Sequence, residues 1–173
     1  MRERVLYVVF MTSFLVLVVA LILAAFYLVD TRLECLSREP RFIVPFETVS
    51  QGTYSGHPEV NNYIIDNRED WKNLWQKITA KTWPSPPLPE VNFNKDMLLA
   101  RFMGERTSGG YRVEFLVVIE AEEKVYITAI EVSPGPDCGV TAAMTQPYHV
   151  VQIPRTEKEI VFNIIETVRR CSK

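Results

Sequence analysis

The side chains best suited to chemistry in this 173-residue chain are two histidines, three cysteines and a serine in a glycine-rich turn. His57 stands before Pro58 among glycines, and His149 follows Tyr148 at the start of an apolar run. A serine or cysteine nucleophile needs a base within hydrogen-bond reach and a third group to orient that base. Ser108 lies in Arg106-Thr107-Ser108-Gly109-Gly110, which lacks the first glycine of a nucleophile elbow. Glycines in that position supply the positive φ of a hairpin turn. Neither G-x-G-x-x-G nor a glycine-rich run closing on Gly-Lys-Ser/Thr occurs, so no phosphate cradle is encoded. Glu122-Glu123 falls in a charged turn, and no acidic run has calcium-loop spacing. With no Cys-x-x-Cys, and both histidines far in sequence from every cysteine, a zinc site has no ligand set. The expectation is a chain that is not an enzyme and uses no cofactor and no metal.

The cysteines, Cys35, Cys138 and Cys171, allow one intramolecular bridge at most. Cys138 sits in a Pro/Gly loop and Cys171 follows the last strand-like run. Joining them closes a loop of about 34 residues, a constraint on the unfolded chain of about 3–4 kcal/mol. Cys138–Cys171 is the preferred pair. Cys35–Cys171, tying the two ends of the domain, is the alternative.

Binding is the chemistry that remains. Two loops concentrate unusual residues: Gly104–Tyr111, with Arg106, Ser108 and Tyr111, and Ser133–Cys138, with Pro134, Pro136 and Asp137. Prolines and a bridged cysteine make the second loop stiff, which lowers the entropic cost of recognition. Trp83 opens Trp83-Pro84-Ser85-Pro86-Pro87-Leu88-Pro89, an extended, partly polyproline-like connector. Trp83, Tyr111 and Tyr148 are the aromatic candidates for contact with a partner or a glycan.

The elements that must position these loops follow from periodicity. Phe42–Val44, Glu47–Val49 and Val60–Ile65 read as short strands. Asp66-Asn67-Arg68-Glu69 has capping-box spacing with the cap at Asp66. Trp71, Leu74, Trp75 and Ile78 then form one helical stripe, ending near Lys81 ahead of Pro84. Beyond it the pattern is β: Met97–Met103 broken by Arg101, alternation over Tyr111–Glu120, Val125–Val132, then Ala142–Ile153 and Ile160–Ile165. Strands joined by short turns with one inserted helix predict an α+β domain. It is built on a mainly antiparallel sheet, as a sandwich or a partly closed barrel, with the amphipathic helix packed on it.

The 47% hydrophobic content is unevenly spread. From Val5 to Val29 there is no charge, and only Thr12 and Ser13 are polar. About 25 residues rising about 1.5 Å each span roughly 37 Å, more than a hydrocarbon core of about 30 Å. A cleaved signal would have a shorter apolar region and small residues at its cut; here Ile22 and Leu23 occupy the position three before. The sequence therefore predicts a membrane anchor over residues 1–29 (span about 5–29), a charged stalk over 30–40 and a domain over 41–173. Arg2 and Arg4 place the N-terminus in the cytoplasm and the domain outside, as a single-pass protein of the cell membrane. The net charge of −2, with no basic patch, gives no support for nucleic-acid binding.

The order of features is similar to a known family. The Asp66–Ile78 helix is followed by Val91-Asn92-Phe93, the strand Met97–Met103 and the turn closing on Gly109-Gly110-Tyr111. After the hairpin come Pro134-Gly135-Pro136-Asp137-Cys138 and Gln146-Pro147-Tyr148-His149-Val150-Val151. From about Ile64 to Arg155 the chain resembles the C-terminal domain of the PrcB family of protease complex subunits, with Asn92 where an aspartate is common. The resemblance implies a non-catalytic, surface-located accessory subunit of the kind that accompanies a subtilisin-like protease. It brings no catalytic residue. The functional expectation is an extracytoplasmic binding subunit with a protein partner in the envelope, a protease being one candidate. The alternatives are a protease inhibitor acting through a rigid proline-rich loop, Trp83–Pro89 or Ser133–Asp137, and an envelope domain binding a glycan or small molecule.

Overall fold

The computed structural model describes Met11 and residues 15–27 and 41–171. The chain divides into two units, Met1–Pro40 and Arg41–Lys173. In the first, residues 15–27 are helical with mostly exposed side chains. Among the described residues no helix is long and apolar enough to cross a membrane. Much of the predicted span, the stalk and Cys35 lie outside the described residues.

The second unit is a sandwich of two four-stranded sheets, with a helix on the outside of one of them; neither sheet closes into a barrel. Its elements in chain order are β1 (Phe42–Val44), β2 (Glu47–Gly52), β3 (Val60–Ile65), α1 (Arg68–Thr79), β4 (Asp96–Met103), β5 (Arg112–Glu120), β6 (Lys124–Pro134), β7 (Tyr148–Pro154) and β8 (Glu159–Arg169). One sheet has the order β1-β5-β6-β8, the other β2-β7-β4-β3. Pairing is antiparallel except between β6 and β8, which run parallel from Lys124↔Glu159 to Pro134↔Arg169.

The central strands β4 and β7 are buried on both faces, which is why they read as nearly unbroken apolar runs. Met97, Leu99, Met103, Val151 and Ile153 meet Val113, Phe115, Val118, Val125, Ile127 and Ala129 between the sheets. On the opposite face Leu98, Ala100, Phe102, Tyr148 and Val150 receive Trp71, Leu74 and Ile78 of α1. Trp71, 1% exposed, gives its indole N–H to the Pro89 carbonyl at 3.0 Å, and Trp75 gives its own to Pro86 at 3.2 Å. The predicted stripe is thus the docking face of α1, and it also holds the proline-rich connector.

The helix cap is Asn67, not the expected Asp66. Asn67 Oδ1 accepts from the Asp70 N–H at 2.9 Å, and its amide donates to Asp70 Oδ2 at 2.6 Å. Asp66 is drawn to Arg155, whose guanidinium reaches both its carbonyl and its carboxylate. At the other end, Gly56 donates to the Lys77 carbonyl at 3.0 Å. A Cβ there would lie 2.3 Å from that oxygen, so only glycine permits this approach.

Two further expectations are corrected. The strand expected over Ala142–Ile153 begins at Tyr148, and the last strand continues past Ile165 to Arg169. The preferred cysteine pair is the one present: Cys138 and Cys171 are bridged, with Cα atoms 5.1 Å apart.

Candidate functional site

At one end of the sandwich two loops lie edge to edge. Arg106 and Thr145 exchange backbone hydrogen bonds at 2.8 and 2.9 Å, and Gly109 N–H donates to the Thr141 carbonyl at 2.9 Å. The Thr145 hydroxyl donates to the Ser108 carbonyl at 2.8 Å. Gly110 has φ 89°. A side chain there would press on Val140 and Pro134. The glycine pair is therefore what lets the Gly104–Tyr111 loop close against the Pro134 loop. Arg106 lies 5.5 Å from the centre of the Tyr111 ring, within cation–π range, while its buried Nε has no hydrogen-bond partner among the described residues.

Of the predicted contact residues, this rim unites Arg106, Ser108, Tyr111 and Pro134, with Pro136 and Asp137 exposed beside them. Asp137 also caps the chain end, its Oδ2 accepting from the Cys171 N–H at 3.1 Å. Trp83 is 94% exposed but belongs to the connector after α1. Tyr148 is not a surface residue. It is 8% exposed, stacked on Phe102 beneath α1, with its hydroxyl 2.9 Å from that of Ser50. Val140 and Met144, 42% and 56% exposed, add apolar surface that the sequence reading missed because Met144 fell within the run expected to be a strand from Ala142, whereas the strand begins at Tyr148.

Beneath the rim, polar side chains bridge the two sheets. Gln51 of β2 donates to the Val113 carbonyl of β5 at 2.9 Å. Arg101 of β4 donates to Glu131 of β6 at 2.6 Å, with side chains 12% and 5% exposed, and also to Asn62 at 3.2 Å. His149 of β7 accepts from the Phe115 N–H at 3.0 Å through Nδ1, so Nε2 carries the proton and donates to Thr48 Oγ1 at 2.9 Å. The pairing of β5 shifts register between Phe115 and Val117, and that of β2 between Thr48 and Ser50. Bulges disrupt the ladder locally, and His149 stands at both irregularities, meeting the Phe115 amide and the Thr48 hydroxyl. Burial lowers its pKa from 6.5, opposed by the charge of Glu114, so the ring stays neutral.

His57 is engaged as well. Nδ1 donates to the Glu59 carbonyl at 2.9 Å and Nε2 accepts from the Tyr63 hydroxyl at 2.6 Å, with the ring packed on Phe102. Ser108 turns its hydroxyl to the neighbouring Gly109 carbonyl, and no histidine is among its hydrogen-bond partners. Among the described residues no group of three histidine, cysteine, aspartate or glutamate side chains has metal-binding geometry.

The rim, with Arg101, Glu131 and His149 beneath it, lies in one segment running from β4 through β7. Residues 97–154 match the PrcB C-terminal family. The match is narrower than the resemblance read from Ile64 onward, and α1 falls outside it. The matched segment supplies β5 and β6, the inner strands of one sheet, and all but the first residue of β4 together with β7, the inner strands of the other. It also contains both rim loops. No curated protein and no solved structure matches the chain.

Proposed function

We propose that this chain is a non-catalytic, membrane-anchored accessory subunit that holds a protein partner in the cell envelope, a protease being the candidate, through the rim formed by the Arg106–Tyr111 and Pro134–Met144 loops. The observation that carries this reading is the PrcB C-terminal match over residues 97–154, which spans that rim. Its support in the geometry is the cross-stitching of the two loops, which fixes the rim before any partner arrives. Both histidines commit their two ring nitrogens to hydrogen bonds with the fold, which agrees with a non-catalytic role. The apolar run Val5–Val29 would anchor the chain, with the domain outside.

The test is affinity isolation of the full chain from native membranes in mild detergent, with the wild type beside Arg106→Glu/Met144→Asp. A stoichiometric envelope protein bearing a protease domain should accompany the wild type and be lost from the variant. A wild-type isolate with nothing bound refutes the reading. A second reading, protease inhibition, draws on Trp83, fully presented on a connector tied by two indole hydrogen bonds. Titration of the chain against secreted proteases separates the two, because an accessory subunit leaves proteolysis intact.

A further inference from the structure

β8 lies at the edge of its sheet, and among the described residues no strand pairs with its other side. Gly135 N–H donates to the Arg169 carbonyl at 2.9 Å, so the backbone of Arg169 faces β6. Backbone direction alternates along a strand. Ile160, Phe162, Ile164, Glu166 and Val168 therefore direct their N–H and C=O groups to the open edge. Edge strands are ordinarily blunted by shortness, lysine, proline or a bulge. β8 is 11 residues long, contains neither lysine nor proline, and keeps an unbroken register with β6. Ile165 and Val168 are 48% and 60% exposed.

We propose that β8 pairs antiparallel with β8 of a second copy of this chain, about a two-fold axis through Ile164. Charge and register select this occupant. Pairing about Ile164 sets Ile160 against Val168 and Phe162 against Glu166 in hydrogen-bonded pairs, using every open backbone group for about ten hydrogen bonds. The alternate pairs oppose Asn163 to Ile165, Val161 to Thr167 and Glu159 to Arg169 on the outer face. Opposite charges thus meet at both ends of the strand, and the two-fold makes each pair occur twice. A two-fold normal to the sheet keeps inward residues against inward residues, setting the exposed Glu166 beside Phe162 of the other copy on that face. The pairing is independent of the protease-complex reading.

The test measures the protein mass of the purified full chain in mild detergent by light scattering over a dilution series. A dimer is expected. Glu159→Arg and Arg169→Glu should each weaken it by about tenfold or more, because like charges then face each other twice. The combined charge exchange should restore it, which only a folded, paired strand can do. In a Cys35→Ser background, Asn163→Cys/Ile165→Cys should oxidise to a covalent dimer, since Cα atoms in such a pair lie about 4.5 Å apart. Asn163→Cys alone should not. A chain that stays monomeric overturns the proposal. So does a dimer indifferent to both single charge variants, an exchange that fails to restore association, or a cysteine pair that does not cross-link.

Discussion

Replacing Arg101 tests whether the polar ties between the sheets are structural elements or incidental. Arg101→Met removes the cation from a pair whose carboxylate, on Glu131, is 4% exposed and accepts at 2.6 Å. At the surface, solvent and side-chain freedom reduce such a pair to about 0–1 kcal/mol. Here neither discount applies, and the stranded carboxylate should cost about 3–5 kcal/mol. The Asn62 amide oxygen, half-buried, can turn to water and adds little. Glu131→Met strands the guanidinium by the same reasoning and should cost a similar amount. The double variant Arg101→Met/Glu131→Met restores a matched apolar pair, and its stability should fall within about 2 kcal/mol of wild type or above it. The coupling in the cycle is then several kcal/mol, far beyond what separated sites show. Urea unfolding followed by tryptophan fluorescence, with Trp71 and Trp75 as reporters against the sheet, measures all four chains; equal slopes keep the comparison valid. Single losses below about 1 kcal/mol that simply add in the double would refute the reasoning and reduce the pair to a surface bridge.

Three further variants test the packing. His149→Leu leaves the buried Phe115 N–H without its acceptor and should cost about 1–3 kcal/mol in the same unfolding assay. Because burial depresses the His149 pKa, the unfolded chain takes up a proton near 6.5 while the folded chain does not. His149's contribution to stability is therefore complete well above 6.5 and is lost progressively as pH falls through 6.5 toward the lowered folded-state value, a slope that His149→Leu should lack. Trp71→Ala opens the layer between α1 and the β4–β7 face and should cost about 3–5 kcal/mol, seen as a lower urea midpoint. Cys138→Ser/Cys171→Ser should cost about 2–4 kcal/mol, with hydrogen exchange rising first along the C-terminal half of β8.

Much of this fold is legible in the sequence where local pattern and burial agree. β4 through β6 and the α1 stripe announce themselves, because their residues face fixed layers and the periods of two and 3.6 follow from that. The Asp66 cap was misplaced by one residue because Asp66 and Asn67 are both good caps, and the choice is made by Arg155, far along the chain. The parallel placement of β8 has no local signature, since strand direction depends on where the connection crosses. Tyr148 reads as an aromatic open to a partner, yet as the first residue of β7 it alternates inward toward α1. The site was half visible. The loops stood out by their glycines and prolines, and Arg101 was conspicuous as the one charge in an apolar run. Its partner Glu131, 30 residues away, could be found only when the two sheets faced each other.

The bridge between Cys138 and Cys171 has a consequence beyond stability. An edge strand ordinarily frays from its free end, and an extended, frayed segment is what a protease cleft grips. β8 is fastened at both ends instead, by Lys124 against Glu159 at its start and by the sulfur bridge and the Gly135–Arg169 hydrogen bond at its finish. To be threaded into a cleft it would have to bow outward from the middle, breaking several pairings at once with no end to start from. Fastened in this way, β8 resists being drawn out as the extended segment that a protease cleft needs.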